Sequence, residues 1–312
     1  MSQSSSPSFI SPRRILIITQ STVTQLVRMK VFYFLVPIAL LIVGLQYTNA
    51  VDIFYSGPET MAPQQELRMH KNICLGTMML FGVMFAIVST ALLIPRDIED
   101  RTLYTILCKP VPRMDYLLGK LFGVIVVIFI AMAVMDLLMV VTLHFRTEDK
   151  LAQATKGMMD MGFAKEEVEA GRADIAAHGP TTILQFGVLA HFMKAAVMAA
   201  VALLISTFST STLFTIATSM MIWVIGAFQS IARDGLFNDA QFGEIPTTVD
   251  RIVGTLISVV FPDFQLFEAI SDGAARAEEV LQSDMLQLGG LTGLYLGIYV
   301  VLSWFVFRDK EF

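Results

Sequence analysis

Six long apolar runs constrain this 312-residue chain more than anything else in it: Val31–Tyr47, Ile73–Ile94, Leu117–Leu143, Ile183–Phe208, Leu213–Ile231 and Leu288–Phe307. Crossing the hydrocarbon core of a bilayer takes roughly 20 apolar residues of helix, and inside it every backbone polar group must be paired within the protein. The runs therefore predict an all-α integral membrane protein with six transmembrane helices. Composition agrees, with 55% hydrophobic and 16% charged residues against about 25% charged in ordinary soluble domains. The ten-residue alternating pattern of a membrane β-barrel is missing from the sequence. The first run is short and carries Pro37, which kinks a helix; the third and fourth are long enough to tilt or to extend past the bilayer. A seventh apolar stretch, Ile252–Phe261, ends at Pro262-Asp263. It is too short to cross and predicts a re-entrant or interfacial helix.

Residues 1–12 are Ser-rich and polar and are expected to be disordered, and 13–312 read as a single integral domain. Arg13-Arg14 is followed by a mixed stretch, not by the clean apolar core and small-residue cleavage site of a signal peptide. Arg14–Lys30 interleaves Ile15, Ile18, Val23, Leu26 and Val27 with Thr, Gln and Arg. Such a pattern predicts an amphipathic helix on the inner face, the alternative being an inward extension of the first span. Six spans put both termini on one side. With the termini inside, the inner segments hold eleven Lys and Arg against six acids, and the outer segments, about twice as long, hold ten against twenty. The density of positive charge near span ends then favours cytoplasmic N- and C-termini and an inner-membrane location.

Two outer regions follow. Residues 146–180 predict one or two short helices with breaks at Gly157, Gly162, Gly171 and Gly179-Pro180. Residues 232–287 carry ten acids and three bases, the half-span and a helix near Ala274–Leu286. The link Ser206–Thr212 is short and uncharged and predicts a tight inner turn. Two cysteines, Cys74 and Cys108, support neither a disulfide framework nor a CxxC metal site.

The polar segment Pro95–Lys120 (PRDIEDRTLYTILCKPVPRMDYLLGK) is held between the second and third spans. Asp97, Glu99 and Asp100 suit a helix N-terminus, and Leu103, Tyr104, Ile106 and Leu107 supply one apolar face. Lys109-Pro110-Val111-Pro112-Arg113 forbids continuous helix, because residues before proline are driven to extended geometry. Asp115 restarts the helix that becomes the third span. The outcome is a short transverse helix on two stiff hinges, or an ordinary solvated loop.

Glu99, Arg101-Thr102-Leu103, Lys109-Pro110-Val111, Arg113 and Leu118-Gly119-Lys120 resemble the inner-loop signature of ABC-2-type transporter permeases. The chain departs from that pattern at Cys108 and Pro112, where small polar residues are usual. The six spans, the N-terminal interfacial helix, the half-span ending in Pro262 and Asp263, and the basic tail at Arg308 extend the resemblance over essentially the whole chain. It implies the transmembrane subunit of an ABC transporter of the exporter class, working as a homodimer or heterodimer. The loop would be the coupling helix docked on a separate ABC ATPase subunit, with Glu99, Arg101, Thr102, Lys109, Pro110, Pro112, Arg113, Gly119 and Lys120 as its coupling residues. ATP and Mg would then be held by the partner and no cofactor by this chain. No G-x-x-x-x-G-K-[ST] phosphate loop is present, since Gly119-Lys120 has no upstream glycine at the required spacing and is followed by Leu121.

Asp136 and Lys194 are the only Asp, Glu, Lys or Arg residues well inside the spans, where a bare charge costs roughly 2.5–3.5 kcal/mol. Counted from the outer span ends, Asp136 lies near the depth of Lys194 and of His191, one turn away. This predicts an Asp136–Lys194 or Asp136–His191 pair between the third and fourth spans, either fixing packing or lining a substrate or proton path. Met158, Met159, Met161 and His178 offer soft copper ligands, though 19 methionines make chance clustering the simpler reading. An intramembrane enzyme lacks a second carboxylate or a metal motif. A different class stays open: a non-transporting ABC-type module that acts mechanically on an envelope partner through its outer regions. Basic residues near the inner face also suit anionic lipid. Nucleic acid is not implied, the chain being acidic.

Overall fold

The computed structural model describes residues 11–46, 62–99, 112–209, 211–237, 261–277 and 282–308, and these are helical with no strand among them. The helices are α1 (Pro12–Val27), α2 (Lys30–Leu45), α3 (Pro63–Glu99), α4 (Arg113–Asp160), α5 (Lys165–Ala177), α6 (Thr182–Phe208), α7 (Thr212–Phe237), α8 (Gln265–Ala275) and α9 (Gln282–Arg308). Among the described residues five helices are long and apolar enough to cross a membrane, or six if α1 and α2 are counted together as one bent span. That all-α membrane architecture is the one the apolar runs predict. Of the half-span, residues 252–260 lie outside the described residues, as does most of the segment between the second and third spans.

α1 begins where Pro12 takes the first helical position, a place where its missing N–H costs nothing. It ends at Val27 with Arg28 as its C-cap; Met29 is extended (φ −72, ψ 138) and turns the chain into α2. The two helices meet at 72°, so α1 does not continue α2 in a straight line. Leu16 and Ile17 on it are exposed.

α6 is the centre of the bundle. It packs on α3, α4, α7, α8 and α9, and its Ala195, Ala199, Ala200 and Ala202 are all fully buried. Small side chains let neighbouring backbones approach closely, which is how helices associate where lipid removes the hydrophobic drive. The outward faces of α4 and α9, with Phe129, Leu137, Leu294 and Leu302, stay exposed and apolar. The link from α6 to α7 is as tight as predicted: one helix ends at Phe208 and the next starts at Thr212.

α4 departs from the expected boundaries. It runs 48 residues without interruption, about 72 Å at 1.5 Å per residue, more than twice a hydrocarbon core of about 30 Å. The predicted outer helices of 146–180 are therefore a continuation of the third span plus one antiparallel helix, α5. The glycines explain it. Gly157 stays helical, and the break comes at Gly162, whose φ of 78 is left-handed and suits glycine alone. Gly171 also stays helical, and Met158 of α4 packs so close to it that an added Cβ would lie 2.6 Å from Met158 Cε. The helix predicted near Ala274–Leu286 is interrupted: α8 ends at Ala275, Arg276 and Ala277 form a turn, residues 278–281 lie outside the described residues, and α9 is described from Gln282.

Candidate functional site

Residues 100–111 lie outside the described residues, and with them Arg101, Thr102, Lys109 and Pro110 of the predicted coupling set. What the structure describes is the frame around that segment, with α3 described as far as Glu99 and α4 starting after Pro112. The frame is closed by buried polar contacts. Asp97 of α3 accepts from Lys120 Nζ at 2.7 Å and from the Tyr116 hydroxyl at 2.6 Å. Gln25 of α1 donates to Asp97 at 3.3 Å and accepts from Lys120 at 3.0 Å. Asp97, Tyr116 and Lys120 are all buried, so three helices meet in one network of low solvent access, where paired polar groups are strongly held and unpaired ones costly.

Two further contacts extend the frame. Asp115 is 0% exposed and lies 3.1 Å from Arg14 Nε of α1. Arg113 Nη1 donates to the carbonyls of Phe307 and Arg308 at the end of α9, a basic residue satisfying helix C-terminal carbonyls. Its guanidinium sits 5.7 Å from the Phe307 ring, and that ring stacks on Tyr116 at 6.0 Å.

α1 can approach so closely because α4 has no side chain where they cross. A Cβ on Gly119 would stand 2.6 Å from Ile18 Cβ, and one on Gly123 would stand 2.5 Å from Thr22 Cβ. Thr19 Oγ1 donates to the Gly119 carbonyl at 3.2 Å.

Residues 16–311 match a family model, that of the ABC-2 family transporter proteins. The chain belongs to that family. None of the curated proteins compared with it gives a match. As an ABC-2 family protein it is a multi-pass membrane subunit of an ABC transporter.

Within this ABC-2 protein, the described members of the predicted coupling set make contacts inside the bundle. Lys120, a member of the predicted coupling set, is 4% exposed and paired with Asp97. Gly119 is a helix-crossing position. Arg113 is turned onto α9. Pro112 stands as the N-cap of α4 in extended geometry (φ −57, ψ 135), and Glu99 is the last described residue of α3. The spacing Gly119-x-x-x-Gly123 was the signal available in the sequence for the α1 crossing.

The predicted intramembrane pair is corrected. Lys194 is 0% exposed and pairs with Glu268 of α8 at 2.7 Å, with its ammonium 5.0 Å from the Phe264 ring. His191 Nε2 shares a 2.7 Å hydrogen bond with Ser271 Oγ, also on α8. Asp136 instead accepts from Gln185 at 3.1 Å. Matching depth was not enough, because rotation about the helix axes turns Lys194 and His191 toward α8 and Asp136 toward the start of α6. α8 is thus latched to the centre of the bundle. Its approach is guided by Pro262 and Asp263: Gly226 of α7 makes room for the Pro262 carbonyl and the Phe264 ring, and Asp263 N–H donates to the Tyr295 hydroxyl at 3.1 Å.

Among the described residues no group of three or more His, Cys, Asp or Glu is placed to hold a metal ion. Met159 and Met161 are exposed at the tip of the α4–α5 hairpin, and His178 Nδ1 is bonded to the Asp174 carbonyl at 3.0 Å.

Proposed function

We propose that this chain is the permease subunit of an ABC exporter and that residues 100–111 dock on a separate ATPase subunit. The observation that carries this reading is the Asp97–Lys120–Tyr116–Gln25 network. It ties both ends of the segment to each other and to α1, while Arg113 ties the same end to α9. A force applied to such a segment is delivered to four helices at once, because a satisfied, buried polar network resists deformation. Nucleotide chemistry would stay with the partner, and this chain would contribute rigid coupling. Arg101 and Lys109 are the docking contacts in this reading, with Pro110 and Pro112 stiffening the hinges. The assembly works as a dimer with its termini on the cytoplasmic side of the inner membrane.

The test is a detergent pull-down of the full chain, with and without Arg101→Glu and Lys109→Glu. Recovery of an ATP-hydrolysing partner that is lost on charge reversal supports the reading. No ATPase under either condition defeats it.

The α4–α5 hairpin favours a second reading, that of a non-transporting module acting on an envelope partner. α4 carries this hairpin some 17 residues past Leu143, about 25 Å at the helical rise, and Gln64 of α3 braces it through Asp174 at 2.7 Å. Stimulation of the recovered ATPase by a small molecule supports transport; stimulation only by an envelope protein supports the module.

A further inference from the structure

The bend between α1 and α2 marks one boundary of the membrane. α2 is 16 residues long, about 24 Å of helix, so it has no length to spare across a hydrocarbon core of about 30 Å. Arg28 and Lys30 flank the bend and are exposed, and Tyr33 follows on the first turn of α2, 64% exposed. Bare charges are costly in hydrocarbon, and tyrosine concentrates at membrane–water interfaces. These residues set the bend at the level of the lipid headgroups. α1 lies at the same end, because it precedes the bend and packs on Asp115, Gly119 and Gly123 of α4.

The side that α1 turns away from the bundle suits that place. Ile18, Thr19 and Thr22 meet the bare backbone of Gly119 and Gly123. At 3.6 residues per turn the opposite side carries Arg13, Leu16, Ile17 and Val27, with Arg28 at the C-cap, and all five are exposed. The two arginines stand at its ends, about 22 Å apart by helical rise, with the apolar side chains between them. α1 holds no acidic residue. The adjoining segments outside the described residues do not reverse the sign: residues 1–10 hold no acid, and residues 100–111 hold Asp100 against Arg101 and Lys109.

We propose that this face of α1 binds the headgroups of anionic phospholipids, one phosphate at each arginine, with Leu16, Ile17 and Val27 reaching the first acyl carbons. A guanidinium keeps its charge at any working pH and presents paired N–H donors that match a phosphate. A basic amphipathic helix gains from both charge and apolar contact at an anionic surface, and lipid is the partner that supplies both at headgroup level. Through Gln25 and Arg14 the same helix reaches Asp97 and Asp115, so lipid charge is read beside the frame of residues 100–111. Lipid binding here does not depend on the ATPase reading, and its test is separate.

The experiment titrates phosphatidylglycerol or phosphatidylcholine into the purified full chain in neutral detergent and counts bound lipid by native mass spectrometry. Selective retention of phosphatidylglycerol is expected. Arg13→Gln combined with Arg28→Gln should weaken it about thirtyfold, the product of two basic contacts at a membrane surface. Arg172→Gln on α5, at the opposite end of the bundle, should leave it unchanged. Should the double variant fail to fold, a photoactivatable phosphatidylglycerol gives a second readout on the native protein, with adducts expected on α1. Equal retention of the two lipids, unchanged binding in the double variant, an equal loss in Arg172→Gln, displacement by inorganic phosphate at constant ionic strength, or adducts only outside α1 would each overturn the proposal.

Discussion

Lys120 Nζ and Asp97 Oδ2 lie 2.7 Å apart, both nearly sealed from solvent, and join the two helices that residues 100–111 connect. Tyr116 and Gln25 add hydrogen bonds to the pair. Removing one partner of a buried pair leaves a charge that nothing compensates, at about 3–5 kcal/mol. Asp97→Asn and Lys120→Met alone should each lower stability on that scale, and the double variant should recover most of the loss. Thermal unfolding of the four proteins makes a double-mutant cycle, and additive losses would show that the pair is not coupled.

The glycines of this chain divide by what surrounds them. Alanine at Gly119 or Gly123 drives a Cβ into α1 at 2.6 or 2.5 Å, an overpacking that costs typically 1–3 kcal/mol. Alanine at Gly289 or Gly293 on α9 meets nothing within 4 Å and should raise helix stability by about 0.5–1 kcal/mol. Melting temperatures of the four single variants check the contrast. Equal effects at all four sites would dissolve the idea that α1 is seated on bare backbone.

The latch between Lys194 and Glu268 has a similar logic with a local readout. Glu268→Gln leaves Lys194 buried without its counter-charge and should loosen α8, whereas Lys194→Met together with Glu268→Leu should hold it. A cysteine placed at Ser271, which is buried against His191, reports on this through its rate of thiol labelling. Faster labelling in Glu268→Gln than in the double variant is the expected order.

Asp136 should behave differently from Lys194. Its carboxylate accepts one hydrogen bond from Gln185, and asparagine keeps an acceptor there. Asp136→Asn is expected to change stability by less than about 1 kcal/mol, within the range of a single hydrogen bond. A loss as large as that of Glu268→Gln would return Asp136 to the status of a charge partner.

Helix existence was written in the chain, but some of its boundaries were not. The link from Phe208 to Thr212 is as short as its sequence implies, yet α4 passes through Gly157 and α5 through Gly171, glycines that read as breaks. An isolated glycine costs a helix only about 1 kcal/mol, and packing of Met158 on Gly171 outweighs it. Of the candidate site, the charged character of the loop ends was legible, since Asp97, Asp115 and Lys120 flank prolines between two apolar runs. Which of them face solvent was not legible, and Lys120, read as a coupling residue, is buried.

The division follows from the range of the forces. Crossing a bilayer requires each segment to satisfy its own backbone and to be apolar along its length. Both conditions are local, so six apolar runs and a family-wide pattern were enough to determine an all-α membrane protein of the ABC-2 type. How far each helix is rotated, and which buried charge finds which partner, depends on neighbours distant in sequence. Lys194 meets Glu268 across 74 residues, and Thr19 meets Gly119 across 100. Only the packed bundle decides those pairs, because burying a charge is tolerable only where a counter-charge from another helix stands within reach.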